Sequence, residues 1–223
     1  MTRTTLAMAA ALVVATMVVA ALAVGSSAPA GMQLPVHWGL NGEPDGFSGK
    51  WEALLTIPAL TAAVSLLFYF IPSIEPRREG LARSQGLYLW GWVAILLMGS
   101  TIELATVSLA LGWPVQAYNL IAGGLGASLV LIGNQLGKSR SMYLIGLRTP
   151  WTLASEDVWI RTHRLAGKLV VGGGALILAA AALPLPSGPL ATLILAVIAV
   201  AAAAPAVYSL LLWRREHAAQ SSE

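Results

Sequence analysis

The chain has 223 residues, of which 57% are hydrophobic and 10% are charged, and its formal net charge is +3. This composition excludes an ordinary soluble domain and predicts an all-α integral membrane protein. Continuous rather than alternating apolar runs argue against a transmembrane β-barrel. The lack of cysteine excludes disulfides, thiolate metal sites and thiol nucleophiles.

Six apolar segments of about 20 residues follow one another along the chain, each able to cross a bilayer core as a helix. They are predicted at 5–24, 52–71, 87–111, 115–136, 166–183 and 190–213. We predict a bundle of six transmembrane helices in two units. Residues 1–72 form a two-span unit with an outer loop at 25–51, and residues 73–223 form a four-span unit with a cytoplasmic element at 137–165.

The first span has a competing interpretation. Arg3, the apolar stretch after it and Ala28-Pro29-Ala30 resemble a signal peptide with a small-residue cleavage site. The stretch is longer than the roughly 7–15 residues of a signal-peptide core, so we favour an uncleaved span. In both cases the first loop faces outward.

Positive charge predicts the orientation. Of the 13 lysines and arginines, only Lys50 falls on the side of the first loop. By the positive-inside rule, both termini and the 137–165 element are cytoplasmic. The tryptophans agree, with Trp38, Trp51 and Trp113 near the outer interface and Trp151, Trp159 and Trp213 near the inner one. The cations on the inner side are Arg3, Arg77, Arg78, Arg83, Lys138, Arg140, Arg148, Arg161, Arg164, Lys168, Arg214 and Arg215.

The outer loop has the pattern of a short hairpin. Asn41-Gly42 predicts a type I′ turn, and Pro44-Asp45-Gly46 predicts a second turn.

The same loop carries a candidate metal or proton site made of His37, Glu43 and Asp45. The alternative is that these residues fix the turns and cap the helix entering at Trp51. We favour the alternative, because one histidine with two turn acids has no ligand spacing of its own.

The cytoplasmic element predicts a helix start. Pro150 disfavours helix at Thr149, so residues 148–152 are expected to be extended. Ser155 is a natural N-cap, followed by two acids in the first turn. We expect this helix to continue into the fifth span.

The faces of that helix carry different chemistry. Asp157 and Arg161 have the favourable i, i+4 order, and Trp159 and His163 share another face. Two interpretations are open: an interfacial helix whose cations meet anionic lipid and whose tryptophan sets its depth, or a docking surface for a cytoplasmic protein. The basic stripe consists of Arg161, Arg164 and Lys168.

Glu103 is the acid that falls inside a predicted span. A charge there costs roughly 2.5–3.5 kcal/mol on insertion scales, so Glu103 is expected to be protonated, paired or beside a polar cavity. A functional proton site and a neutral hydrogen bond between helices are both open. Its possible partners are Thr101, Thr106, Gln116 and Asn119.

Two further patterns complete the prediction. The glycines at 123–124 and 172–174 are expected to permit close helix packing. No Ser-His-Asp order, HExxH motif or carboxylate pair is apparent in the sequence. We therefore expect no enzyme, and no cofactor or metal.

Two segments together resemble the SdpI family of bacterial membrane proteins. The cytoplasmic signature has a Gly-x-Arg-Thr-Pro stretch, a Ser-x-x-x-Trp step and a Thr-His-x-x-Gly helix start. It falls on Gly146, Arg148, Thr149, Pro150, Ser155, Trp159, Thr162, His163 and Gly167. The outer loop resembles the LPxH-type domain of unknown function often fused ahead of that family, at Leu34, Pro35, His37, Gly42, Asp45, Gly46 and Lys50.

The resemblance implies a plasma-membrane protein that gives immunity to a secreted antimicrobial peptide toxin. In some members it also implies signalling, by holding a cytoplasmic repressor at the membrane. We expect His37 and Asp45 to shape the outward surface, and Arg148, Trp159 and His163 to shape the cytoplasmic one. The rivals are a signalling module without immunity and a small proton-coupled transporter using Glu103. Lipid is the expected surrounding, and no direct nucleic-acid partner is expected.

Overall fold

The computed structural model describes residues 2–220 of the chain. Six helices in this part are long and apolar enough to cross a bilayer, which confirms the prediction of an all-α multi-pass membrane protein. These helices are α1 (Arg3–Ser27), α2 (Lys50–Ile74), α4 (Gln85–Ala110), α5 (Ala117–Leu136), α7 (Glu156–Ala181) and α8 (Ser187–Gln220). The shorter elements are β1 (Gln33–Trp38), β2 (Pro44–Gly49), α3 (Arg78–Arg83) and α6 (Pro150–Ala154).

The long helices pack as two neighbouring groups. Helix α4 packs against α1 and α2, and α7 packs against α5 and α8, while the α4–α5 contact joins the groups. Large apolar side chains such as Leu12, Leu66 and Val207 remain exposed on the outside. Outward-facing apolar surface on this scale suits a protein surrounded by lipid.

The bundle has two polar ends. The hairpin end carries β1, β2 and the connections at 111–116 and 182–186. The basic end carries α3, the segment 137–149, α6 and the C-terminal part of α8. A core cluster at the basic end joins elements from the whole chain length, including Leu6, Leu81, Trp92, Met142 and Trp159.

The outer loop forms the predicted hairpin, but not with the predicted turn. Strands β1 and β2 are antiparallel, and pairing ends at Trp38 opposite Pro44, which leaves residues 39–43 as the loop. The amide of Gly42 donates to the carbonyl of Gly39 at 2.9 Å. Asn41 keeps a negative φ while Gly42 has φ +75°, so the type I′ prediction is wrong. The physical reason is an Asx turn, in which Asn41 Oδ1 accepts the Glu43 amide at 3.1 Å.

The second predicted turn is also wrong, because Pro44, Asp45 and Gly46 belong to β2. Gly46 pairs with His37 while Pro44 pairs with Trp38, so Asp45 is the extra residue of a β-bulge. The bulge directs the Asp45 side chain back toward the paired strand. This places it beside His37.

The segment before α7 is helical sooner than expected. Thr149 is extended, as Pro150 requires, but Pro150 then occupies the first position of α6. Thr149 and Thr152 form a capping box around this short helix. The expected extended approach over 150–152 is therefore wrong. Helix α7 begins at Glu156 and continues to Ala181 without a break, which confirms the expected continuation into the fifth span.

Candidate functional site

The start of α7 is capped as predicted. Ser155 Oγ accepts the amide of Val158 at 3.2 Å, and Glu156 and Asp157 occupy the first turn. Arg161 Nη1 lies 3.4 Å from Asp157 Oδ2. The acids at the positive end of the helix dipole and this ion pair on an exposed face stabilise the helix start.

Trp159 and His163 form a buried stack beneath the basic end. Their ring centroids are 4.0 Å apart, and both side chains are fully buried. His163 Nδ1 donates to the carbonyl of Trp159 at 2.9 Å, and Nε2 accepts the Leu147 amide at 2.9 Å. This is the bonding pattern of a neutral imidazole. The ring therefore fastens the 144–149 segment to α7.

Gly146 fits closely over this stack. Its φ is +117°, and an added Cβ would lie 2.7 Å from His163 Nε2 and 2.8 Å from the Trp159 ring. A glycine is required there both for the backbone conformation and for the space. The glycine, tryptophan and histidine of the signature thus meet at one point.

This geometry corrects two expectations. Trp159 does not set membrane depth at the interface, because it is fully buried and its Nε1 donates to Ser139 Oγ at 3.2 Å. Trp159 and His163 also do not form the cytoplasmic surface; they lie beneath it. Arg148 is exposed, and its Nη1 donates to the carbonyl of Tyr143 at 2.7 Å.

Thr152, which lies between the signature residues Pro150 and Ser155, holds the loop, and the signature residue Gly167 holds a helix crossing. Thr152 is fully buried, and its hydroxyl donates to the carbonyl of Leu147 at 2.9 Å. Thr162 is also fully buried. Gly167 allows α7 to cross α5, since an added Cβ would lie 2.8 Å from the Gly133 carbonyl oxygen.

Glu75 holds the same loop from the other side, and sequence reasoning missed it. Its carboxylate is 1% exposed. It accepts the amides of Arg77 at 2.9 Å, Tyr143 at 3.0 Å and Leu144 at 2.8 Å. A carboxylate that accepts three backbone amides clamps the segment after α5 onto the end of α2.

Arg77 adds a second clamp. Its position in the sequence indicates only a positive charge that helps to set the orientation. Its guanidinium donates to Ser141 Oγ, and Nη2 donates to the Leu153 carbonyl at 3.1 Å. It also lies over the Tyr143 ring, 4.6 Å from the centroid. One sequence signal points to both clamps: Glu75 is an acid between the second span and Pro76, at the start of an arginine-rich connection.

At the hairpin end, His37 and Asp45 form a pair. Nδ1 and Oδ1 are 2.5 Å apart, and the side chains are 71% and 53% exposed. Glu43 is directed elsewhere, where its Oε1 accepts from Ser187 Oγ at 3.1 Å. The three candidate ligands are therefore not brought together, and residues 2–218 contain no group of three such side chains placed to hold a metal.

The favoured capping role for this trio is wrong as well. Helix α2 begins after Gly49, and the acid of its first turn, Glu52, accepts from Ser48 Oγ. Lys50 donates to the Ala28 carbonyl, which ties the hairpin to the end of α1. The hairpin's own backbone pairing thus sets where α2 starts.

The other hairpin positions have structural contacts. Leu34 is buried in a cluster with Ala21 and Leu54. Pro35 and Gly42 line a cavity of about 350 Å³ between the hairpin and the starts of α5 and α8. Gly46 faces His37, whose Cβ would lie 2.9 Å from an added Cβ.

Glu103 lies in the α1–α4 interface without the expected partners. It is 3% exposed, and within the described chain neither carboxylate oxygen has a hydrogen-bond partner. Asn119 Nδ2 instead donates to the Leu183 carbonyl at 3.2 Å. Thr101 and Thr106 donate to carbonyls of their own helix, and Gln116 lines the hairpin-end cavity. Glu103 borders a cavity of about 390 Å³ between the two helices.

Comparison with known proteins finds family matches for two regions of the chain. Residues 138–209, which contain the buried stack and its loop, match the SdpI/YfhL protein family. Over these residues the chain is similar to that family. Residues 11–62, which contain the hairpin, match a domain of unknown function, DUF1648. Both resemblances seen in the sequence are thereby confirmed.

The chain also matches a curated protein over part of its length. The chain is similar to the protein named Immunity protein SdpI of Bacillus subtilis (strain 168), at 29% identity over 145 residues. That stretch is 65% of this chain and 67% of the relative. No solved structure matches the chain.

Proposed function

We propose that this protein gives its cell immunity to a secreted antimicrobial peptide toxin, acting within the plasma membrane and without catalysing a reaction. The observation that carries the proposal is the signature segment folded around the Trp159–His163 stack. It lies within the 138–209 match and within a protein similar to Immunity protein SdpI. Such a rigid core at one end of a bundle suits a membrane receptor better than an active site, since Trp159 and His163 are inaccessible.

The proposed toxin-facing surface is the hairpin. The positive-inside rule puts the basic end and both termini in the cytoplasm, and therefore the hairpin outside. The exposed His37–Asp45 pair and Leu40, 79% exposed at the hairpin tip, would be met first from outside. Exposed polar and apolar groups on a short rigid hairpin can bind an amphiphilic peptide.

Survival under toxin challenge tests this function. We expect a toxin-sensitive Bacillus subtilis strain lacking its own SdpI to survive when it expresses the chain. His37→Ala should reduce survival more than Ser26→Ala, whose hydroxyl only bonds its own helix. Likewise, Arg148→Ala should reduce survival more than Arg214→Ala. Equal killing with and without intact protein, at matched membrane levels, would refute immunity to that toxin.

Signalling is a second candidate, supported by the exposed cations on α7. Arg161, Arg164 and Lys168 are all exposed. A stripe of this kind can attract an acidic face of a soluble regulator. We expect a pull-down from solubilised membranes to retain such a regulator, and the triple glutamine variant to lose it. If the variant retains the regulator as well as the wild type does, the basic stripe is not the binding surface.

Glu103 favours proton coupling as a third candidate. A buried acid that has no hydrogen-bond partner among the described residues, beside a cavity between two spans, is a candidate proton site. A pH gradient imposed on proteoliposomes should then drive a flux that Glu103→Gln abolishes. Flux identical in the two proteins would remove this candidate.

A further inference from the structure

A polar cavity of about 450 Å³ opens at the basic end, between the connection after α2 and the segment before α6. Its walls carry four arginines and two glutamates, which leaves two positive charges in excess. The charged side chains are Arg77, Arg78, Glu79, Arg83, Arg140 and Glu156. No part of the immunity proposal uses this cavity.

The arginines differ in how far their charge is already used. Arg77 is committed to the loop clamp described above. Arg140 Nη1 donates to the carbonyls of Lys138 at 3.3 Å and Ser139 at 3.1 Å, and its Nε lies 3.7 Å from Glu156 Oε1. Arg78 and Arg83 are exposed and make neither a hydrogen bond nor an ion pair with residues 2–218. Two guanidinium groups are therefore available to a ligand.

The cavity walls are fixed to each other. Ser84 Oγ accepts the Arg140 amide at 2.8 Å. At Gly80, an added Cβ would collide with the Ser141 carbonyl oxygen, so α3 lies directly against the 141 backbone. Arg77 joins the same two walls through Ser141. This fixed frame positions Arg78 and Arg83 on a preformed cavity, which lowers the entropy cost of binding.

The chemistry and position of the cavity indicate its ligand. Guanidinium groups are suited to phosphate oxygens, which they bind through paired donors. The cavity begins at Pro76, two residues after α2 ends and nine before α4 begins. Lipid headgroups are expected at this depth, because α2 and α4 are both long enough to span a bilayer. We propose that this cavity binds the phosphate of an anionic phospholipid, with Arg78 and Arg83 as the main donors.

Lipid-dependent stability of the full chain tests this site. The protein is reconstituted in nanodiscs of phosphatidylcholine with increasing phosphatidylglycerol, and the midpoint of thermal unfolding is measured. We expect phosphatidylglycerol to raise the wild-type midpoint. In the Arg78→Gln/Arg83→Gln double variant, its apparent affinity should fall by about tenfold or more, since two charge-assisted hydrogen bonds are lost.

The matched control is Arg214→Gln/Arg215→Gln, which removes the same charge from the same end, outside the cavity. It should keep the wild-type response. An equal loss in both double variants, or no response of the wild type, would overturn the proposal. Mass spectrometry of phosphatidylglycerol retained by the solubilised protein gives the same comparison independently of unfolding.

A second arm separates lipid from free anion. Inorganic phosphate is added at constant ionic strength to protein in pure phosphatidylcholine. A rise in the midpoint with phosphatidylglycerol but not with phosphate supports the lipid headgroup. A rise with phosphate alone, lost in Arg78→Gln/Arg83→Gln, overturns the lipid as occupant and keeps a phosphate site.

Discussion

Two buried glutamates of this protein have opposite surroundings. Glu75 accepts three backbone amides, whereas Glu103 has no hydrogen-bond partner among the described residues. Burial of a polar group costs free energy unless hydrogen bonds replace those with water. Glu75 is therefore expected to stabilise the fold, and Glu103 to reduce its stability.

Replacement of each acid by methionine separates the two cases. Glu75→Met should lower the free energy of unfolding by about 3 kcal/mol or more, because three buried amides lose their acceptor. Glu103→Met should be neutral or stabilising, since it removes only an unpaired acid from the α1–α4 cavity. Unfolding of the purified protein in detergent measures both. Equal losses in the two variants would mean that Glu103 has a stabilising partner.

His163 has a natural control in the same chain. His217 stands four residues after Trp213 as His163 stands after Trp159, with rings 4.2 Å apart and Nδ1 3.0 Å from the Trp213 carbonyl. His217 is exposed, however, and His163 also accepts the Leu147 amide. A comparison of His163 with His217 therefore isolates the effect of the Leu147 contact and of burial.

We therefore predict that His163→Ala lowers the free energy of unfolding by about 3 kcal/mol, through the cavity and the unpaired Leu147 amide. His217→Ala should stay within about 0.5 kcal/mol of wild type. Limited proteolysis should cut within 144–149 faster in His163→Ala only. Similar stability and cleavage in both variants would contradict the fastening role of His163.

At the scale of whole elements, local signals in the sequence were sufficient for α7. Ser155, the two acids after it and the Asp157–Arg161 spacing all act within one or two turns, so they could be read without tertiary structure. The hairpin was also visible from its turn residues. Its turn type was not, because the choice depends on the Asn41 side chain and on where strand pairing ends.

The missed part of the site depends on contacts between distant segments. Glu75 bonds residues 68 and 69 positions later, and Arg77 bonds a carbonyl 76 positions later. Charge patterning cannot reveal such partners, so Arg77 was read only as a topology signal. For the same reason the sequence pattern places Trp159 at the interface, although its side chain is covered by Ser139 and Gly146 of the distant loop.

The α5–α7 interface is held close by glycines facing backbone. An added Cβ on Gly174 would lie 2.7 Å from the Gly126 carbonyl oxygen, whereas Gly172 has open space around it. The expected close packing thus holds for Gly174, and also for Gly124 and Gly173, which face Thr101 and Val197. It is wrong for Gly172, and Gly123 makes only ordinary contacts.

Alanine substitutions at Gly172 and Gly174, the two ends of the 172–174 glycine run, should have opposite effects on stability. Gly174→Ala is predicted to cost about 1–3 kcal/mol, because a backbone oxygen cannot rotate away. Gly172→Ala should stabilise by up to about 1 kcal/mol, since it removes a helical glycine without a clash. Thermal unfolding midpoints measure both. A loss in Gly172→Ala as large as in Gly174→Ala would contradict the assigned interface.

At the scale of the molecule, the fold joins residues 3–77 to the region that matches the SdpI/YfhL family, and it does so at both ends of the bundle. Glu75 and Arg77 make this connection at the basic end. Ser187 joins them at the hairpin end, where it donates to Glu43. Under the proposed function, a toxin bound at the hairpin would contact a bundle whose far end carries the signature. The orientation of these two ends across the membrane determines whether that arrangement suits an external toxin.

Cysteine labelling determines the orientation directly, because the natural chain has no cysteine. Leu40→Cys introduces a thiol at the hairpin tip, and Ala82→Cys introduces one on exposed α3 at the basic end. Twelve of the 13 cations fall on the side opposite the first loop, so the positive-inside rule predicts that an impermeant maleimide labels Leu40→Cys in intact cells. It should label Ala82→Cys only after permeabilisation. The reverse pattern would invert the topology, and the hairpin could then not be the surface that an external toxin meets.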